Sequence, residues 1–348
     1  MNTAVWSKSI SELKSLRFLG RLDAAHPAAS LRWPLSGMEM MLRCSCLSLE
    51  AEATVTDQAL WITLFVDGAL ICRFPAMPGR HRYPLLQGMD PAIPHKITLC
   101  NDTQPMENNP MSLHFLSLQS DGELLSLPPA QYHLEFIGDS LTTGEGCIGP
   151  EAGSEWKSIW MCPSLGYAQR VGQAMDAQIS LISQSGWGVY CSWDNNPNNR
   201  LPRIYDQLCG VIPEGQVFYQ EKEAFDAIII HLGTNDISAL QALPDDEQPL
   251  RAKAVEDAVF SFLRQLRLRH PHAYLLWVYG MCGQDWISCF ENGVARAQAA
   301  GDNRTGFLPL PPCEKEHIGS RFHPGPRSHE QAAHLIAQHL SRLLPTLR

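Results

Sequence analysis

The chain has 348 residues, 45 % of them apolar, and its 27 lysines and arginines against 36 aspartates and glutamates give a formal net charge of -9. That length and apolar content predict two ordinary domains with developed cores and exclude a disordered chain. The acidic balance, with no Lys/Arg block, argues against nucleic acid or an anionic membrane surface as partner, because both require a basic face. A neutral or small substrate fits better. The opening stretch "MNTAVWSKSISELKS" has no apolar core of signal-peptide length, and no later run approaches the roughly 18 apolar residues that span a bilayer. A soluble, cytoplasmic protein is expected. Eleven cysteines leave one unpaired under any disulfide scheme, and none forms a C-x-x-C pair. Reduced thiols are therefore expected, and no metal.

From about Phe18 to Leu127 the chain consists of short alternating or β-branched runs: "EMMLRCSCLSL", "ALWITLFVDGALICRF", "HKITLC" and "SLHFLSLQSDGELLSL". Two of the breaks are Asp-Gly, at Asp67-Gly68 and Asp121-Gly122, a dipeptide suited to hairpin turns because both positions tolerate positive φ. An all-β sandwich over residues 1–128 is predicted. Pro128-Pro129-Ala130 supplies a stiff break, and residues 129–348 follow a different pattern. Strand-like runs "HLEFIG", "ISLIS", "FDAIIIHLG", "YLLWVYG" and "GFLPL" alternate with segments of helical period. In one of these Leu165, Ala168, Val171 and Met175 share a face; in another Val255, Val259, Phe262 and Leu266 do. "WISCFENGVARAQAA" would be a third helix, and Ser328 with Gln331 reads as a capping box opening a last one. Repeated β-then-α predicts a parallel sheet covered on both faces, with ligands bound beyond the carboxyl ends of its strands.

Four candidate groups fall in or beside those ends. Ser140 follows the first strand in "FIGDSLTTGEG", Gly186 the second in "SQSGWGVY" and Asn235 the third in "HLGTND", while His323 in "SRFHPGPRSHEQAAHL" precedes the last helix. A serine becomes a nucleophile beside a base that titrates near neutrality, and the tetrahedral intermediate needs aimed N-H donors. The backbones of Ser140 and Gly186 and the amide of Asn235 can supply them. Each group also has a plainer reading: Gly186 or Gly188 as a turn glycine, Asn235 as a helix cap, and Asp139 as a structural hydrogen-bonder. His329, His334 and His339 fall on the last helix, and His231 reads as a satisfied core residue. Trp187, Tyr190, Trp193 and Trp286 cluster near the same edge, where aromatic rings stack on sugar C-H faces or simply fill a core. Cys147 and Cys191 read as bystanders.

"FIGDSLTTGEG", "SGWG", "GTND" and "FHPG" occur in the order of the four blocks of the SGNH (GDSL-type) hydrolase superfamily. Together with "FLGR", "RWPLSGMEM", "FVDGAL" and "HKITLCNDT" ahead of them, the whole chain most resembles carbohydrate esterase family 2. The resemblance implies a jelly-roll domain followed by an α/β SGNH domain with a flavodoxin-like, three-layer parallel sheet. It implies a cofactor-free acetylesterase acting on acetylated saccharides, with Ser140 and His323 catalytic and Ser140, Gly186 and Asn235 forming the oxyanion hole. Where the superfamily carries an aspartate three residues before the histidine, this chain has Ser320. The resembled family can orient its histidine with a main-chain carbonyl, so a Ser140/His323 dyad is expected, with Ser320, Glu314 and Glu316 as weaker candidates for that role. A lipase or thioesterase, or a non-catalytic glycan-binding protein, are the alternative readings.

Overall fold

The computed structural model describes residues 5–22, 29–107, 111–221 and 223–347. The chain forms two compact units, Met1–Pro129 with Leu208–Tyr219, and Ala130–Gln207 with Gln220–Arg348.

The first unit contains strands β1 (Trp6–Ser9), β2 (Arg17–Leu19), β3 (Ala29–Leu31), β4 (Gly37–Arg43), β5 (Cys46–Thr54), β6 (Trp61–Val66), β7 (Ala69–Pro75), β8 (Gly79–Gln87), β9 (His95–Asn101), β10 (Ser112–Ser120) and β11 (Glu123–Leu125). They build two antiparallel sheets, β1-β10-β5-β8 with β3 added to β10, and β11-β4-β9-β6-β7 with β2 added to β4. Alternate residues of each strand point into one shared core, Met38, Met40 and Leu42 from one sheet and Leu49, Ala51, Phe115 and Leu118 from the other. The Asp67-Gly68 turn joins β6 to β7 as a hairpin, with φ of 51° and 81°. Asp121-Gly122 behaves differently from its sequence expectation. It carries the chain from β10 in one sheet to β11 in the other. Asp121 accepts hydrogen bonds from the amides of Ser45 (2.9 Å) and Cys46 (3.1 Å), which hold the matching corner between β4 and β5. A Cβ at Gly122 would lie 1.9 Å from the Arg43 carbonyl, so only glycine passes there. A single boundary after residue 128 does not account for Leu208–Tyr219. The buried Trp33 indole donates to the Leu208 carbonyl (2.7 Å) and anchors that segment in the first unit.

The second unit runs β12 (Tyr132–Gly138), α1 (Ser140–Thr143), α2 (Tyr167–Ala174), β13 (Ala177–Ser183), α3 (Leu201–Ile204), β14 (Ala227–His231), α4 (Thr234–Gln241), α5 (Gln248–Arg269), β15 (Tyr274–Met281), α6 (Ser288–Ala299), β16 (Thr305–Pro312) and α7 (Pro326–Leu347). Its strands pair in parallel in the order β13-β12-β14-β15-β16. Counted within the unit this is 2-1-3-4-5, the flavodoxin-like order, whose direction reverses between β12 and β14. Phe136 on one face meets Tyr167 of α2 edge-on at 5.8 Å, and Trp277 on the other stacks on Phe290 of α6 at 6.2 Å. Helices therefore cover both faces, which is why β14 and β15 read as unbroken apolar runs. The last helix starts at Pro326, two residues before the expected cap, because the fixed φ of proline suits a first helical turn. Ser328 donates instead to the His317 carbonyl (3.2 Å). Among the described residues no helix is long and apolar enough to cross a membrane.

Candidate active site

Ser140 sits at the start of α1, beyond the end of β12, beside the point where strand order reverses. Asp139 caps that short helix by accepting from the Leu141 amide (3.0 Å). Ser140 is 6 % exposed. Its carbonyl receives the Thr143 hydroxyl and the Glu145 amide, each at 3.0 Å, which closes the turn around the nucleophile candidate.

The end of β13 approaches the same turn, where Ser185 Oγ lies 3.2 Å from Thr143 Oγ1. Gly186 then takes φ of 81°, a conformation costly for any residue with a Cβ. Gly188 is required for a different reason, since a Cβ there would come within 2.3 Å of the Asp236 carboxylate.

Asn235 is the second residue of α4 and not its cap, the cap position being Gly233. Its buried amide nitrogen donates to the Trp187 carbonyl (2.9 Å) and to Asp139 Oδ2 (3.2 Å). One side chain thus ties together segments that follow three adjacent strands. Asp236 beside it accepts the successive amides of Val189 (2.9 Å), Tyr190 (2.7 Å) and Cys191 (2.9 Å). Burial pushes the Asp139 carboxyl up to about 7 and that of Asp236 up to about 6.

His323 follows a single 3-10 turn, Ser320–Phe322. Within it Arg321 and Phe322 have φ of 54° and 59°, two consecutive left-handed residues that both carry side chains. This turn brings the Arg321 carbonyl to 2.8 Å from His323 Nδ1. A carbonyl only accepts, so Nδ1 carries the proton and Nε2 is left with a free lone pair. The candidate role of Ser320 in orienting the histidine is therefore corrected. Ser320 is fully buried and its hydroxyl has no hydrogen-bond partner among the described residues. Glu314 sits on His317 (3.4 Å). The carboxylate that does approach is Glu145, ion-paired with the Arg321 guanidinium and 4.0 Å from His323 Nε2. Sequence reasoning missed it.

The four aromatic candidates separate sharply. Trp187 is 5 % exposed and belongs to the core, so it offers no ring face to a sugar; that expectation is withdrawn. Tyr190 has Arg251 over its ring at 5.1 Å. Trp193 is 65 % exposed and packs beside Gly186, its amide donating to the Gly186 carbonyl (3.0 Å). Trp286 is half-buried after β15. Phe322, next to His323 and 88 % exposed, was not singled out from the sequence. His231 and His329 are core residues on either side of a Tyr167 contact, at 5.5 Å and 6.2 Å. His231 is not satisfied as expected, for neither ring nitrogen has a partner among the described residues.

A 2-1-3-4-5 parallel sheet with serine, glycine, asparagine and histidine blocks at its edge defines the class of SGNH hydrolases. No family model matches the chain. It is similar to the structure of an acetyl xylan esterase from the rumen bacterium Butyrivibrio proteoclasticus, at 30 % identity over 98 % of this chain and 99 % of that one, with a TM-score of 0.93. A family two carbohydrate esterase from Clostridium thermocellum, solved in complex with cellohexaose, matches over 95 % of this chain and 99 % of that one at 21 % identity and a TM-score of 0.83. The acetylxylan esterase / glucomannan deacetylase of Cellvibrio japonicus is 24 % identical over 98 % of this chain and 95 % of its own length. The chain belongs to carbohydrate esterase family 2.

Proposed function

We propose that the chain is a serine esterase that removes O-acetyl groups from carbohydrates through an acetyl-serine intermediate. The catalytic domain is residues 129–348 apart from Leu208–Tyr219, and the β domain over residues 1–128 is a jelly roll. The observation that carries the mechanism is the bond between the Arg321 carbonyl and His323 Nδ1. It leaves Nε2 as the base that takes the Ser140 proton. The alkoxide attacks the acetyl carbonyl, the imidazolium protonates the departing sugar oxygen, and water activated by the same nitrogen releases acetate.

The oxyanion is held by the amides of Ser140 and Gly186 and by Asn235. As the first helical residue, Ser140 has no intrahelical acceptor for its amide. Asn235 donates to the oxyanion by giving up the longer of its two bonds, that to Asp139. Trp193, 65 % exposed beside Gly186, is the ring that stacks on the sugar, with Tyr190, Trp286 and Phe322 as further candidates.

Acetate release from a panel of acetylated mono- and oligosaccharides, run beside 4-nitrophenyl acetate and octanoate, tests the reading. The parent is expected to release acetate and to prefer the acetyl ester, with Ser140→Ala inactive. Rates that rise toward octanoate would point to a lipase or thioesterase instead. Failure of Ser140 to react with a fluorophosphonate would point to a protein that only binds glycans.

A further inference from the structure

We infer that Glu145 is the positioning residue for the base, acting through Arg321; the inference rests on the assignment of His323 as that base. The group that orients the imidazole is a main-chain oxygen, so its place depends wholly on the backbone that carries it. That backbone is strained. Arg321 has φ of 54° and ψ of 35°, and Phe322 follows at φ of 59°. Left-handed residues with side chains persist only where their surroundings over-determine them.

Glu145 supplies that constraint from both ends. Its amide donates to the Ser140 carbonyl (3.0 Å), so its backbone is fixed to the nucleophile turn. Its carboxylate, nearly buried, pairs with the Arg321 guanidinium. The same Oε1 lies 4.0 Å from His323 Nε2, where it favours the imidazolium that forms as Ser140 is deprotonated. The flanking residue agrees. Gly146 has φ of 69°, and a Cβ there would lie 2.3 Å from the Ser320 carbonyl and 3.0 Å from His323 Cβ, so the base loop packs directly on the segment that carries Glu145. Ser320 donates its amide to the Gly146 carbonyl (3.0 Å) as a further tie. Glu145 thereby serves the purpose that a carboxylate at position 320 would serve, from a different element and through a backbone relay.

The test compares the parent with Ser140→Ala, Glu145→Ala, Glu145→Gln, Arg321→Ala and the Glu145→Ala/Arg321→Ala pair, using 4-nitrophenyl acetate well below the lowest melting temperature. Misplacing a catalytic group by about 1 Å costs up to about 100-fold, so kcat is expected to fall about 10- to 100-fold in Glu145→Ala and Arg321→Ala while KM stays within about twofold. The pair should be no slower than the slower single variant, because the two residues act as one unit. Glu145→Gln, which keeps the shape and loses the charge, should lie between. A downfield proton resonance from His323 Nδ1, identified by its loss in His323→Ala, is expected to broaden away in Glu145→Ala and Arg321→Ala. Single variants with kcat within about twofold of the parent, or a resonance that survives in the folded fraction of a destabilised variant, would overturn the inference. Unchanged activity in Ser140→Ala would instead overturn the proposed function.

Discussion

The carbonyl oxygen of Arg321 stands 2.8 Å from Nδ1 of His323, while the hydroxyl of Ser320, in the same turn, reaches no partner among the described residues. Ser320→Ala is therefore expected to keep activity within about threefold of the parent, whereas His323→Ala loses up to about six orders of magnitude. Initial rates on 4-nitrophenyl acetate decide it, and a Ser320→Ala loss matching that of His323→Ala would return the orienting role to the side chain.

Asn235 joins the segments after three strands and is proposed to hold the developing oxyanion. Asn235→Ala should cost about 3 kcal/mol of transition-state stabilisation, a fall on the order of 100-fold in kcat. KM should change little, since the interaction strengthens as charge develops on the oxygen.

Asp236 gathers three successive amides, those of Val189, Tyr190 and Cys191. Asp236→Ala leaves those buried donors unsatisfied, each at a cost of about 1 kcal/mol or more, so the melting temperature and the activity should fall together. Thermal unfolding and esterase rates on the same sample check the link, which fails if stability drops while the folded fraction keeps its full rate.

Burial pushes the His231 imidazole from its ordinary 6.5 down to about 3. The unfolded chain therefore binds the proton more readily across that window, and His231 costs stability increasingly as pH falls below 6.5. The raised carboxyls of Asp139 and Asp236 have the opposite sign. Their stabilisation is complete below 3.8 and is lost as pH rises through about 7 and about 6. His231→Leu removes only the first contribution. Relative to the parent it should gain roughly 2 kcal/mol more at pH 5 than at pH 8. Urea unfolding at the two pH values measures this, and an equal effect at both would refute a buried neutral imidazole.

Trp193 lies open beside Gly186. If it stacks on the saccharide, Trp193→Ala loses about 1 to 1.5 kcal/mol, up to about tenfold in KM for an acetylated oligosaccharide. The effect on 4-nitrophenyl acetate should be smaller, and equal effects on both substrates would remove Trp193 from the sugar site.

The five parallel strands were legible because each is a short run rich in apolar residues bounded by turn residues, signals that lie within a few positions. The Asp67-Gly68 hairpin was legible for the same reason. Asp121-Gly122 has the same two residues but a different fate, because which sheet the next strand joins depends on Ser45 and Cys46, about 75 residues away. Trp187 and Trp193 look alike in a local reading, yet one is core and one is surface, a difference that no feature of the residues between them signals. Glu145 stood in plain view between two glycines, but its partner Arg321 is 176 positions away. Nothing in one sequence joins such a pair.

An acceptor belonging to the peptide unit is common to all twenty amino acids. Substitution at position 321 can shift that oxygen but never delete it, so a change there slows the enzyme by misplacing the acceptor and not by removing it. The neighbouring ring of Phe322, 88 % exposed, supplies no part of that acceptor, so its side chain can change without removing the atom that holds the imidazole.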